Sequence, residues 1–260
     1  MKISHELPLS LNHYSYKWND FEYCLPIFLD KYDKYRLYFQ KAYLDGRFII
    51  MDNSLFEGYT HTLEYLLDKI NLIHPNIFIV PDAWNDSTTT LVNAKSWMIN
   101  YKKILPEETN LMAVCQGQTI GELITTYQSL IDMGYKHISF NHSSKAYNAL
   151  GHTDPLKNQM YGRIEFIRKL VEKDIICKDV YHHLLGSSDW REFQVYSEWD
   201  FIKSCDTSAP IINGAFGVKF EYDMVYTKPK EKLESIMEVD LSNRLDIIKH
   251  NVAIFRKSIA

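Results

Sequence analysis

Five short apolar runs in this chain break off at a residue that can do chemistry. Asp52 follows Arg47-Phe48-Ile49-Ile50-Met51, and Asp82 follows Asn76-Ile77-Phe78-Ile79-Val80-Pro81. Gln116 follows Asn110-Leu111-Met112-Ala113-Val114-Cys115 and is itself followed by Gly117. Gly186 ends the run from Asp179 to Leu185, and Asp206 ends Phe201-Ile202-Lys203-Ser204-Cys205. A buried strand that stops at a polar turn delivers that polar group to the mouth of a pocket. Three carboxylates delivered this way can divide labour. One attacks a sugar carbon while another exchanges a proton with the leaving group. Asp206 is the expected nucleophile.

The neighbouring residues fit a planar ligand. Gln116 carries both a donor and an acceptor for a ligand edge. Gly186 would let backbone amides come close. Phe56, four residues after Asp52, could cover a ring face. Each has a plainer alternative. An Asp after a strand also caps helices and forms turns. Phe56 could be core, and Glu57 is either a salt-bridge partner or a site residue. His182-His183 could suggest a metal, but adjacent strand residues point to opposite faces, so one buried and one exposed histidine are expected. Lys228, Lys230 and Lys232 read as a solvated cluster that could also meet phosphate.

Positioning these groups requires strands in parallel. Strand patterns at 23–29, 47–51, 76–80, 110–115, 137–140, 179–185 and 200–205 alternate with helical ones. The helices are expected over 31–44, 62–73, 87–105, 119–133, 163–173 and 189–197. Leu63, Leu66, Leu67 and Ile70 share one face of the second. Residues 143–159 read as a long polar loop, 216–227 as a hairpin, and 228–260 as mainly helical. A polar loop with Pro210 and Gly214 follows Asp206. Residues 1–20 read as an N-terminal strand or an extended arm, and an eighth strand is placed near one terminus. The expected fold is a single-domain α/β protein, a (β/α)8 TIM-like barrel, whose catalytic residues lie at the C-terminal ends of several strands. The rival doubly wound sheet lacks its G-x-G-x-x-G after the first strand.

The totals narrow the function classes. A chain of 260 residues suits one barrel. A net charge of -4 argues against a broad nucleic-acid grip, so any such contact is local. The cysteines, Cys24, Cys115, Cys177 and Cys205, are too scattered for a zinc ribbon or a disulfide framework. No apolar run is long enough to span a membrane, and residues 1–6 lack a signal-peptide core. A cytoplasmic protein is expected.

Taken in order, the strand-end motifs resemble the tRNA-guanine transglycosylase superfamily. That family is a barrel with D-S-G-G-[FY]-Q after an early strand. Asp52-Asn53-Ser54-Leu55-Phe56-Glu57 keeps the Asp and the aromatic at that spacing. Asp82 in Val80-Pro81-Asp82 matches the base-recognising Asp, Gln116-Gly117 the Q-G pair, and Leu185-Gly186 the glycine motif. Asp206 to Gly214 is similar to the segment that carries the nucleophile, though shortened. The likeness runs over 47–217.

The resemblance implies a base exchange. Asp206 would attack the sugar C1′, displace guanine and form a covalent intermediate. Asp52 would be the general acid and base. Asp82, Gln116, Gly117 and Gly186 would bind the base edge, with Phe56 and Glu57 beside it. A 7-deazaguanine such as preQ0 or preQ1 would then enter. No metal and no redox cofactor is implied. The family's zinc motif is absent, since no cysteine follows Cys205, and 209–217 contains no Arg or Lys. The short zinc-free form is most similar to the phage-type DpdA group, which acts on DNA. DNA is therefore the preferred polymer over tRNA. A nucleoside or glycoside hydrolase on the same barrel is the alternative.

Overall fold

The computed structural model describes residues 1–151, 154–221, 229 and 231–259. Eight strands form one parallel sheet: β1 (Lys2–His5), β2 (Glu22–Cys24), β3 (Ile49–Met51), β4 (Ile77–Ile79), β5 (Asn110–Cys115), β6 (His137–Asn141), β7 (Tyr181–Leu185) and β8 (Ile202–Thr207). Their spatial order is β1-β8-β7-β6-β5-β4-β3-β2, with each neighbour parallel to the next. This is an α/β architecture of the (β/α)8 kind, a nearly closed barrel.

The seam between β1 and β2 is closed by Asn19 and Asp20. Asn19 accepts from the His5 N–H at 2.7 Å and donates to the His5 carbonyl at 3.0 Å. The Asp20 N–H donates to the Ile3 carbonyl at 2.9 Å, and Asp20 Oδ2 accepts from the Ile3 N–H at 2.9 Å. The exposed edge of β1 is thus satisfied without a ladder, which a sheet edge requires. The expected eighth strand lies at the N-terminus. Lys2–His5 is a barrel stave, not an arm.

Helices wrap the barrel: α1 (Ser15–Trp18), α2 (Pro26–Lys31), α3 (Asp33–Leu44), α4 (Leu63–Ile73), α5 (Ser87–Ser96), α6 (Ile120–Asp132), α7 (Pro155–Glu172), α8 (Arg191–Tyr196), α9 (Ala209–Ala215) and α10 (Leu245–Ser258). Thr62, Asp86 and Thr119 cap α4, α5 and α6 through their side chains, which satisfies amides that a helix start leaves open. Because helices cover the outer face, both faces of the strands are buried. Outward Phe78 meets Trp97, and outward Phe140 meets Phe166. Burying an aromatic or aliphatic side chain of this kind contributes about 1.5–3 kcal/mol.

Several expectations shift. Residues 26–29 belong to α2, because Pro26 takes the first helical turn, where its missing N–H costs nothing. The helix expected over 87–105 stays α-helical to Ser96 and then loosens into a π turn, Trp97–Tyr101, and a 3-10 turn, Lys102–Ile104. The segment 143–159 is not one loop: a 3-10 turn (Lys145–Leu150) and the first turn of α7 occupy it. Pro210 and Gly214 lie inside helix α9, not in a polar loop. Residues 222–227 of the hairpin expected over 216–227, together with Lys228 and Lys230, lie outside the described residues.

His182 and His183 do face opposite ways, yet both are fully buried. His182 points out into the helix layer. It contacts the Tyr127 hydroxyl at 3.0 Å and stacks on Phe140 at 5.2 Å. Burial lowers its pKa to about 4, so it is neutral. His183 points into the barrel. The expectation of one exposed histidine failed because α6 covers the outward face of β7 at His182, where Tyr127 meets it.

Candidate active site

Inward residues alternate along each strand, and parallel pairing keeps paired residues on one face. At the C-terminal mouth this alternation brings Glu6, Tyr23, Asp52, Gln116, Asn141, Leu185 and Asp206 together. With the loops that follow, they line a cavity of about 130 Å³. Asp52, Asp82, Gln116, Gly186, Phe56 and Glu57 all line it, as does Asp206.

Asp206 sits within β8, not after it, and is almost fully buried. Its Oδ1 accepts from His183 Nε2 and from the Gly186 N–H, each at 2.9 Å. Gly186 has φ +70°, a conformation that favours glycine. Its amide is therefore spent on Asp206, not aimed at a ligand.

Asp52 follows β3 directly and is buried. Burial first, then the Glu57 charge, pushes its carboxyl well above the usual carboxylate range. Asp206 and Asp82 add to the push, while a backbone hydrogen bond at Asn53 opposes it. After it, Ser54 holds φ +61° with its hydroxyl fully buried. A non-glycine residue there stores backbone strain, a feature that clusters at functional sites.

Asp82 is held on both oxygens. Asn53 Nδ2 donates to Oδ1 at 2.8 Å and Gln116 Nε2 to Oδ2 at 2.6 Å. Burial raises its pKa, and these two donors pull against the rise. Gln116 Oε1 in turn accepts from the Asn85 N–H at 3.1 Å and Asn141 Nδ2 at 3.0 Å. The Gln116 carbonyl oxygen and one of its two N–H donors are engaged inside the protein. Its place in the cavity wall is that of a brace for Asp82. Gly117 does not line the cavity. It packs on the first turn of α6, where an added Cβ would meet Glu122 Cβ and the Leu123 nitrogen at 3.0 Å.

Two aromatic rings stand at the rim. Phe56 is 56% exposed and Trp84 49%, with ring centroids 6.3 Å apart and planes tilted by 47°. Trp84 Nε1 donates to the Ser143 carbonyl at 3.1 Å. Phe56 is therefore not core.

The wall behind the Gly186 loop is rigid. Arg163 and Glu192, both fully buried, form a two-pronged pair at 2.7 and 2.8 Å. Ser187 and Tyr196 hydroxyls donate to the same carboxylate at 3.1 and 2.6 Å. Thr207 Oγ1 donates to the Ser187 carbonyl at 2.6 Å, tying this loop to β8.

Sequence reasoning missed Tyr23, Asn53, Trp84, Asn141, His142 and His183. Asn53 and Trp84 sit one and two residues from expected site carboxylates, and Tyr23 lies in an expected strand. His183 stands out in the sequence only as one of the adjacent pair His182-His183. Compared with known proteins, the chain matches no family model and no curated protein. Among the described residues no group of His, Cys, Asp and Glu is arranged to hold a metal ion, and no helix is long and apolar enough to cross a membrane.

Proposed function

We propose that the protein is a base-exchanging transglycosylase that replaces guanine in nucleic acid, DNA in preference to tRNA, with a 7-deazaguanine such as preQ0. One observation carries this reading. Asp52, Asp82, Gln116, Gly186 and Asp206, spread over 155 positions by numbering, line one cavity at the C-terminal ends of the strands. That is the face on which barrels of this architecture build active sites.

The chemistry balances with these groups alone. An Asp206 oxygen attacks C1′ as the C1′–N9 bond breaks, and an ester forms. The bond pair leaves with guanine, and the Asp52 carboxyl supplies the proton that neutralises it. Burial keeps that carboxyl protonated to higher pH, as an acid requires. The incoming 7-deazaguanine then returns its N9 proton to Asp52. Its N9 pair attacks C1′, and Asp206 leaves as a carboxylate. Asp82, braced by Asn53 and Gln116, has lone pairs left for the N–H groups of a guanine edge. Phe56 and Trp84 offer faces to the base and its neighbour. The base must leave its stack to enter, at a cost of a few kcal/mol.

Two features favour this family's chemistry and this polymer. Ser54 adopts a glycine-type φ where the resembled motif has glycine. The segment after the nucleophile is the buried helix α9, without Arg or Lys, where the resembled tRNA enzymes carry a basic segment.

The test is a covalent trap. The protein is incubated with guanine-containing DNA and RNA oligonucleotides and run under denaturing conditions. An adduct with DNA is expected, lost in Asp206→Asn. An adduct with RNA alone would overturn the polymer choice. Continued turnover to free base without any 7-deazaguanine, beyond the single release that adduct formation gives, would make it a hydrolase.

A further inference from the structure

We propose that His183 is a positioning residue that fastens Asp206 by one oxygen and leaves the other for the sugar carbon. This rests on the nucleophilic role given to Asp206 above. Asp206 Oδ1 takes both donors, His183 Nε2 and the Gly186 N–H, and no hydrogen bond reaches Oδ2 from the described residues. The carboxylate is thus anchored asymmetrically.

The anchor is itself fixed by a chain of hydrogen bonds. Tyr181 donates its hydroxyl to Ser204 Oγ at 2.8 Å, and Ser204 Oγ lies 2.7 Å from His183 Nδ1. A serine has one O–H to give. The Tyr181 proton fills one lone pair of Ser204, and among the described residues the one acceptor left for the Ser204 proton is Nδ1. Nδ1 then accepts, and the neutral ring carries its hydrogen on Nε2, aimed at Asp206. The opposite tautomer would set a bare nitrogen against a carboxylate and leave the Ser204 proton without an acceptor. The ring is also clamped. Tyr23 stacks on it at 6.1 Å and 14°, and Phe21 meets it edge-on at 6.2 Å. His183 itself is fully buried.

The sheet is locally irregular at this point. His182 pairs with Ile202, so an unbroken ladder would set His183 opposite Lys203, whose side chain is exposed. Instead the register shifts between His182 and His183, and His183 faces Ser204. Such irregularities re-aim side chains and are enriched beside active sites. Here the shift brings Tyr181, His183, Ser204 and Asp206 into one inward row.

The arrangement serves both halves of the exchange. The cavity also holds the carboxyl groups of Glu6, Asp52, Glu57 and Asp82, so the nucleophile stands among other acids. When Oδ2 bonds to C1′, Oδ1 becomes a carbonyl oxygen that still accepts from His183. When the incoming base displaces the ester, the same donor receives the returning charge.

Single-turnover adduct formation on a guanine-containing DNA oligonucleotide tests this. His183→Leu is expected to slow adduct formation on the order of 100-fold, with half-saturation unchanged. His183→Gln, which can place an N–H near the Nε2 position, should recover most of that loss. Ser204→Ala, a milder change, should slow it about tenfold and serves if the Leu variant fails to fold. Equal loss in the Leu and Gln variants, or a weakened DNA affinity as the main effect, would overturn the positioning role. Nitrogen-15 NMR of His183 gives a second readout without turnover: a neutral ring protonated on Nε2 is expected, and an Nδ1–H ring or a charged ring would overturn the chain. If the wild type forms no adduct, the transglycosylase reading falls and the nucleophile with it. The NMR result then still decides the hydrogen-bond chain.

Discussion

Gln116 Nε2 lies 2.6 Å from Asp82 Oδ2, and the same amide accepts from Asn141 and from the Asn85 backbone on its other side. Tyr147 continues the network by donating to Asn141 Oδ1 at 3.0 Å. One side chain from β5 thereby couples the ends of β4 and β6. Gln116→Leu would leave Asp82 with one amide donor and strand two donors without acceptors. Such orphaned buried groups cost about 1–3 kcal/mol each. The variant is expected to lose about 2–6 kcal/mol of stability in urea melts for the two groups together, and to bind free guanine at least tenfold more weakly. Guanine affinity equal to that of the wild type would remove Asp82 from base recognition.

Phe56 gives the opposite split between stability and binding. More than half of its surface is exposed, so Phe56→Ala should change stability by no more than about 0.5 kcal/mol. Stacking on a nucleobase is worth about 1–3 kcal/mol. Affinity for a guanine-containing oligonucleotide should therefore fall roughly tenfold or more, and Trp84→Ala should behave alike. Titration by fluorescence anisotropy would show this. A stability loss with intact binding would make the rim aromatics structural.

What the sequence made legible followed from burial. Apolar runs such as 110–115 had to be strands, and their polar ends had to share one rim once the strands ran parallel. The seam was not legible, because Asn19 and Asp20 close it through side-chain bonds and one backbone bond that carry no periodic pattern. Helix α9 was hidden for a different reason. Pro210 and Gly214 read as loop residues, but Pro210 falls in the first turn, where proline is tolerated. His183 was hidden by the register shift on β8, since strand alternation alone would have set it opposite the outward Lys203.

Arg163 and Glu192 should be critical to folding although they touch no ligand. Both side chains are fully buried, and the Arg163 guanidinium also donates to the Phe140 and Leu185 carbonyls at 3.3 Å. Removing one member leaves an unpaired buried charge, which costs about 3–5 kcal/mol. Arg163→Met is expected to lose that much in denaturant melts. Pairing it with Glu192→Leu should recover part of the loss, because both charges are then gone. A double variant no more stable than the single one would show that the carbonyl contacts, and not the pair, hold the loop.

Asp52 should make the protein less stable as pH rises. Burial and the nearby Glu57 raise its folded pKa well above the usual carboxylate range, while an unfolded Asp titrates near about 3.9. Between those two values the folded state binds more protons than the unfolded one. The slope of unfolding free energy with pH is then negative, so the group costs no stability at low pH and an increasing amount as it is forced to ionise. Asp52→Asn removes that titration and keeps an oxygen to accept from the Ser54 N–H, now 3.3 Å from Asp52 Oδ2. Melting temperatures of both proteins at pH 5 and pH 8 should therefore diverge, with the Asn variant gaining on the wild type at pH 8. The same variant should lose about 10²–10⁴ in exchange rate, the contribution of a positioned acid and base. Parallel pH slopes in the two proteins would mean that Asp52 ionises freely and is not the proton-bearing group of the site.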